Sequence, residues 1–160
     1  MRSKGFFASL AVSLALLLAL AGCGGASNAP QETPADEGPA IEQLSRASGA
    51  TVRLSADNQE ASIDVDVKSG EALVIMANLG EGTDEVSAIT YKGSEEQSTD
   101  SFYEGYGYSE AGVDPGTYTV EIKGGGATGT MWVLAYPADS VDVMNMDTED
   151  IVSQVLGDVA

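Results

Sequence analysis

Residues 61–67 read ASIDVDV, and apolar and polar residues alternate along this stretch. Successive side chains of a β-strand point to opposite faces of the sheet, so the alternation predicts a strand with one buried face and one solvated face. Ile63, Val65 and Val67 are predicted to face the core. This pattern, rather than a helical one, sets the expected fold class.

Further strand-like segments follow along the chain. Residues 71–79 and 130–136 are apolar on both faces, which predicts interior strands covered on each side. Residues 117–122 alternate again, directly after the sequence DPG at 114–116. Proline presets the first corner of a turn and glycine tolerates positive φ at the second, so a turn is expected there.

The remaining segments are shorter. Strands are predicted at 51–54 and 86–91, and a single helical turn at 41–47. Residues 93–100 (GSEEQSTD) are polar and acidic and are predicted to form a loop. Residues 102–109 (FYEGYGYS) are predicted to form one aromatic strand.

The C-terminal segment has a helical rather than a β pattern. Asp147 or Thr148 is a suitable N-cap, and Gly157 is expected to end the helix. Its apolar face is formed by Ile151, Val152, Val155 and Leu156. The sequence therefore predicts a mainly β protein, an antiparallel β-sandwich of about six to eight strands with a short C-terminal α-helix covering a sheet surface or edge.

The N-terminus has the pattern of a signal peptide. Arg2 and Lys4 precede the uncharged run FFASLAVSLALLLALA at 6–21. This run is shorter than the roughly 20 residues that cross a bilayer core, so a cleaved segment at 1–22 is predicted rather than a permanent anchor.

The run ends in Leu20-Ala21-Gly22-Cys23, which resembles the lipobox of bacterial lipoproteins. The resemblance implies cleavage between Gly22 and Cys23 and acylation of the Cys23 thiol. Two acyl chains of a diacylglyceryl group anchor a protein stably, so the expected location is the extracytoplasmic face of the cell membrane. An ordinary secretory signal with a chance cysteine, or an uncleaved anchor, is the alternative.

The composition of the mature protein indicates its domain organisation and limits its possible partners. Residues 23–40 are rich in proline, glycine, alanine and acids, which predicts a disordered tether before an acidic domain at 41–160. The whole chain has a formal charge of −18. Such a surface repels nucleic acid and anionic lipid head groups, so the expected membrane attachment is through the lipid alone.

The turn and strand after residue 114 resemble a known module. The sequence PGTY at 115–118, the alternating strand to Ile122 and the later strand ending at Tyr136 resemble the bacterial pre-peptidase C-terminal type of β-sandwich. The resemblance implies a non-catalytic accessory module of extracellular proteins. This sequence departs from that pattern because a module standing alone, without an attached enzyme, and a C-terminal helix are expected.

Catalytic chemistry is poorly supported by the residue types. The chain has no histidine, which excludes Ser-His-Asp triads and histidine-ligated zinc, and its single cysteine is the one predicted to carry lipid. We predict no catalytic residue, no metal site and no cofactor.

Carboxylates leave two alternatives open. Asp64 and Asp66 share a strand face and would suit a small carboxylate-based hydrolase, although a solvated face is the simpler interpretation. Acidic residues at 81–85 and 95–100 offer calcium ligands, but their spacing does not match an EF-hand loop.

Tyrosines provide the candidate binding site. In a regular strand Phe102, Glu104, Tyr106 and Tyr108 would share one face and Tyr103 would lie on the other. Tyrosine offers a flat apolar ring with a hydrogen-bonding tip, which suits sugars, peptides and proteins. The predicted ligand-binding residues are Tyr103, Tyr106 and Tyr108. The alternative places Tyr106 and Tyr108 in the core, where Trp132 is also expected.

The functional hypothesis combines these features. It describes a membrane-anchored, non-catalytic binding module for an envelope protein, peptide or glycan. The alternatives are a structural or protective lipoprotein without a specific ligand and, less favoured, the carboxylate hydrolase.

Overall fold

A computed structural model of the protein describes residues 40–159. The predicted signal peptide at 1–22, the lipidation site Cys23 and the tether up to residue 39 lie outside the described residues.

Residues 40–159 form nine strands and one helix. In chain order these are β1 (Ile41–Gln43), β2 (Gly49–Leu54), β3 (Glu60–Val67), β4 (Glu71–Leu79), β5 (Val86–Lys92), β6 (Glu95–Phe102), β7 (Gly105–Gly112), β8 (Gly116–Lys123), β9 (Gly129–Pro137) and α1 (Thr148–Val159).

The strands form two antiparallel sheets. The five-stranded sheet has the order β1-β2-β9-β4-β7, and the four-stranded sheet has the order β3-β8-β5-β6. Their facing sides enclose the main core, in which Ile63, Val65 and Val67 are buried as the alternation predicted. The predicted fold class, an antiparallel β-sandwich with a C-terminal helix, is confirmed, with more strands than expected.

Two segments account for the difference in strand number. The loop prediction for residues 93–100 is wrong, because most of these residues form β6, an edge strand paired with β5 alone. Charged side chains are common on edge strands because they discourage pairing with other chains, so polarity did not exclude a strand. The helical turn predicted at 41–47 is also wrong, since Ile41–Gln43 pairs with β2.

The helix α1 builds a second core on the outer face of the five-stranded sheet. The carbonyl of Asp147 accepts a hydrogen bond from the Ile151 amide at 3.0 Å, which places Asp147 at the N-cap. The helix continues through Gly157, which was expected to end it, and closes at Val159. Trp132 is half-buried against this second core rather than inside the sandwich.

The predicted turn at 114–116 connects the two sheets. The Tyr118 hydroxyl donates a hydrogen bond to the Asp114 carbonyl at 2.8 Å, and the Lys92 ammonium lies 5.1 Å from the centre of the Tyr118 ring. A tyrosine that bonds back to the chain a few residues upstream is the tyrosine corner of many Greek-key sandwiches. Here it fixes the crossing from β7 to β8.

Candidate binding site: a tyrosine-lined cleft

The three tyrosines singled out in the sequence line one cleft. It has a volume of about 390 Å³ and lies beside β6 and β7, the edge strands that meet on one side of the sandwich. Tyr103, Tyr106 and Tyr108 all line this space, which we call the tyrosine cleft. Their role in binding stays a prediction.

Tyr103 is held by a short connection between the sheets. The stretch 102–109 is not one strand, because Phe102 ends β6 in one sheet and Gly105 begins β7 in the other. Phe102 is buried in the sandwich core, and the Glu104 carboxylate accepts a hydrogen bond from the Gly82 amide at 2.8 Å. Between these two anchors Tyr103 is 57% exposed. Phe102 therefore does not share a strand face with Tyr106 and Tyr108, contrary to the prediction.

Tyr106 and Tyr108 point away from the sandwich core. In the ladder with β4 they pair with Asn78 and Met76, whose side chains lie on the outer face of the sheet. Tyr106 is 41% exposed, whereas Tyr108 is half-buried beside the second core. The alternative that placed both rings inside the sandwich is wrong.

The hydroxyl of Tyr108 is tightly held. It donates a hydrogen bond to the Glu110 carboxylate at 2.8 Å. Burial first, and this hydrogen bond second, raise the pKa of Tyr108 above its ordinary value. A phenol is already neutral at physiological pH at its ordinary pKa of 10.0, so Tyr108 acts as a donor there, and the raised pKa extends this state to higher pH.

A glycine explains why the aromatic strand fits against the core. Gly107 faces inward on β7, and a β-carbon added there would lie 2.5 Å from the Phe102 ring. The missing side chain gives Phe102 its space. The alternation of tyrosine and glycine thus separates an exposed aromatic face from a tightly packed inner face.

Carboxylates give the cleft a negative character. Asp100 accepts hydrogen bonds from Ser109 at 2.6 Å and from Ser98 at 3.0 Å, and so joins β7 to β6. Asp100 and Glu104 both line the cleft, and none of its lining residues is basic. The arrangement offers aromatic rings, hydroxyls and acceptors to a ligand.

The carboxylate pair of β3 has a different setting. Asp64 accepts a hydrogen bond from Thr119 at 2.7 Å, and Asp66 accepts one from Thr117 at 2.6 Å. Both aspartates are exposed on the outer face of the four-stranded sheet. Across residues 40–159 no group of three His, Cys, Asp or Glu side chains is arranged to hold a metal ion.

A groove that the sequence did not indicate lies on the outer face of the five-stranded sheet. It has a volume of about 700 Å³, and Thr51, Arg53, Thr130 and Trp132 line it. The alternation within TMWVLAY places Thr130 and Trp132 on one face, but only the strand order shows that β2 supplies the neighbouring residues.

Comparison with known proteins assigns no family, since neither a protein-family model nor a curated protein matches the chain. Within the described residues, no helix combines the length and hydropathy needed to cross a membrane.

Proposed function

We propose that the protein is a lipid-anchored, non-catalytic binding module at the extracytoplasmic face of the cell membrane. The lipobox-like sequence ending at Cys23 supports the anchor, and the PGTY resemblance supports an accessory role. The tyrosine cleft binds a protein, peptide or glycan of the envelope. The observation that carries this proposal is the convergence of Tyr103, Tyr106 and Tyr108 on one open cleft.

The position of the first described strand, relative to the cleft, suits such a role. The described chain enters at β1, at one edge of the five-stranded sheet, and β7 lies at the opposite edge. Four interstrand spacings separate these edges, a distance of about 19 Å. A membrane tether attached before Ile41 would therefore leave the tyrosine cleft accessible.

The anchor is tested by metabolic labelling with palmitate. The full-length protein should incorporate label, and Cys23→Ser should abolish the incorporation and release the protein from membranes. Label retained by Cys23→Ser, or a protein that keeps its first 22 residues, would contradict this part of the proposal.

The cleft is tested by sedimentation of the detergent-purified full-length protein with isolated envelope material. The double variant Tyr103→Ala/Tyr106→Ala removes two exposed rings and should lower binding about tenfold or more, as expected for central aromatic contacts. Tyr91→Ala is the matched control, because Tyr91 lies on the outer face of the other sheet. Unchanged binding by the double variant would remove the cleft from the proposal.

A second candidate rests on that other surface. The outer face of the four-stranded sheet carries Asp64, Asp66 and Glu121 beside threonines. This acidic, hydrated surface supports a protective lipoprotein without a specific ligand. Sedimentation that is insensitive to both tyrosine substitutions and to Tyr91→Ala would favour it.

A further inference from the structure

Four outward-pointing side chains form a row that starts in the tyrosine cleft and crosses the outer face of the five-stranded sheet. Tyr106 pairs with Asn78, Asn78 with Thr130, and Thr130 with Arg53, on β7, β4, β9 and β2 in turn. We call these four residues the outer row. Three interstrand spacings give it a length of about 14 Å, which exceeds a single sugar ring.

The helix α1 runs alongside the outer row. Its first residue, Thr148, lines the tyrosine cleft beside Tyr108, and its last residue, Val159, lines the groove beside Trp132. The helix has 12 residues, so it is about 18 Å long and crosses the strands from β7 to β9. Asn78 remains exposed beside the helix, so the outer row is open to solvent and is bordered on one side by α1.

The outer row combines hydrogen-bonding groups with aromatic rings beside them. Tyr106 stands at one end, followed by the amide of Asn78 and the hydroxyl of Thr130, and Trp132 is half-buried beside Thr130 on the same strand. Arg53 is paired with Glu42 at 3.4 Å, so the far end is charge-balanced. Flat apolar rings beside planar polar groups match a ligand whose faces are apolar and whose rim carries hydroxyls.

Other occupants fit less well. The backbone groups of β4 and β9 are used in ladders on both sides, so over most of the row a peptide strand finds no free edge, and only β7 at one end offers one. The polar side chains of the outer row do not suit the apolar face of a helix. The chain's formal charge of −18 opposes a polyanion, and the balanced Arg53–Glu42 pair favours an uncharged ligand.

We propose that the outer row binds an extended, neutral polysaccharide that runs from the tyrosine cleft to the groove lined by Arg53, Thr130 and Trp132. This inference rests on the binding role proposed for the cleft and specifies its ligand. Sugar faces pack on the aromatic rings, while Asn78 and Thr130 hydrogen-bond the hydroxyls between them.

The test uses β-1,4-linked glucose oligomers of two and six rings and calorimetry on the detergent-purified full-length protein. The six-ring oligomer should bind about tenfold tighter than the two-ring oligomer, because it spans the outer row. Asn78→Ala should remove most of this difference. Gln97→Ala, an exposed substitution on β6, is the control and should leave both affinities unchanged.

The remaining outcomes separate the groove from the cleft. Equal affinity for both oligomers, lowered by Tyr106→Ala but not by Asn78→Ala, would overturn the groove and leave the cleft as the binding site. Binding of neither oligomer, or binding of a lysine-rich peptide in their place, would overturn the polysaccharide proposal, whereas the sedimentation experiment decides the proposed function independently.

Discussion

Thr90 is a polar residue in the otherwise apolar core. Its side chain is 0% exposed, and its hydroxyl has no hydrogen-bond partner among the described residues. A buried hydroxyl without a partner lowers stability, because it loses its hydrogen bonds to water on folding. β-Branched valine keeps nearly the same shape on this strand without that cost.

Thr90→Val should therefore raise the free energy of unfolding by about 1 kcal/mol. Denaturant titration followed by circular dichroism measures the change. Thr119→Val is the control, since the Thr119 hydroxyl already donates to Asp64 and its loss should bring no gain. A destabilised Thr90→Val would show that the hydroxyl is satisfied in solution.

Two tyrosines make stability sensitive to alkaline pH. Burial, followed by hydrogen bonds to Glu110 and Asp158, raises the pKa of Tyr108 and Tyr136 above the ordinary value of 10.0. The unfolded chain then loses these protons at a lower pH than the folded protein. The stabilising contribution is complete below about pH 10 and falls as the pH rises through the folded-state values.

The expected result is a fall in the free energy of unfolding above about pH 10. The double variant Tyr108→Phe/Tyr136→Phe should show a shallower fall, measured by denaturant titration across the alkaline range. Parallel curves for the two proteins would show that other groups cause the alkaline loss.

At the scale of elements, the local sequence pattern predicted most of the strands but not the sheet to which each strand belongs. The strand prediction at 61–67 depended only on one buried face, and the structure confirms this strand. The stretch 102–109 has a similar pattern, yet the chain changes sheets after Phe102, because a short connection can follow either path. Polar β6 was missed because an edge strand needs little apolar surface.

Gly107→Ala tests the packing at this change of sheet. The new β-carbon would meet the Phe102 ring at 2.5 Å and force it to move, which should cost about 1–3 kcal/mol. Gly157→Ala is the contrasting variant in α1, where no atom lies within 4 Å. It should stabilise by about 1 kcal/mol through helix propensity. Thermal unfolding of both variants measures the difference, and a harmless Gly107→Ala would contradict the packing argument.

At the scale of the whole molecule, the sequence located the tyrosines but not the outer row. Local sequence was sufficient for the tyrosines, since they lie within six residues of one another. Arg53, Thr130, Asn78 and Tyr106 become neighbours only through the strand order β2-β9-β4-β7. That order joins strands far apart in the chain, and no local pattern encodes it.

The charge of the molecule yields the last prediction. The chain carries 25 acidic and 7 basic residues, and within residues 40–159 the single ion pair joins Arg53 to Glu42. Repulsion among like charges therefore outweighs attraction in the folded state, and compact folding concentrates those charges. Asp64 and Asp66 are two of these carboxylates, both exposed on the outer face of the four-stranded sheet.

Salt should consequently stabilise the protein. The Debye length falls from about 30 Å at 0.01 M to about 8 Å at 0.15 M ionic strength, so added sodium chloride screens most of the repulsion between surface carboxylates. The expected gain in the free energy of unfolding is on the order of 1 kcal/mol. Asp64→Asn/Asp66→Asn keeps the hydrogen-bond acceptors for Thr119 and Thr117 but removes two charges, so this variant should gain less from salt. Stability that falls with salt in this range would show that attractive pairs dominate the surface instead.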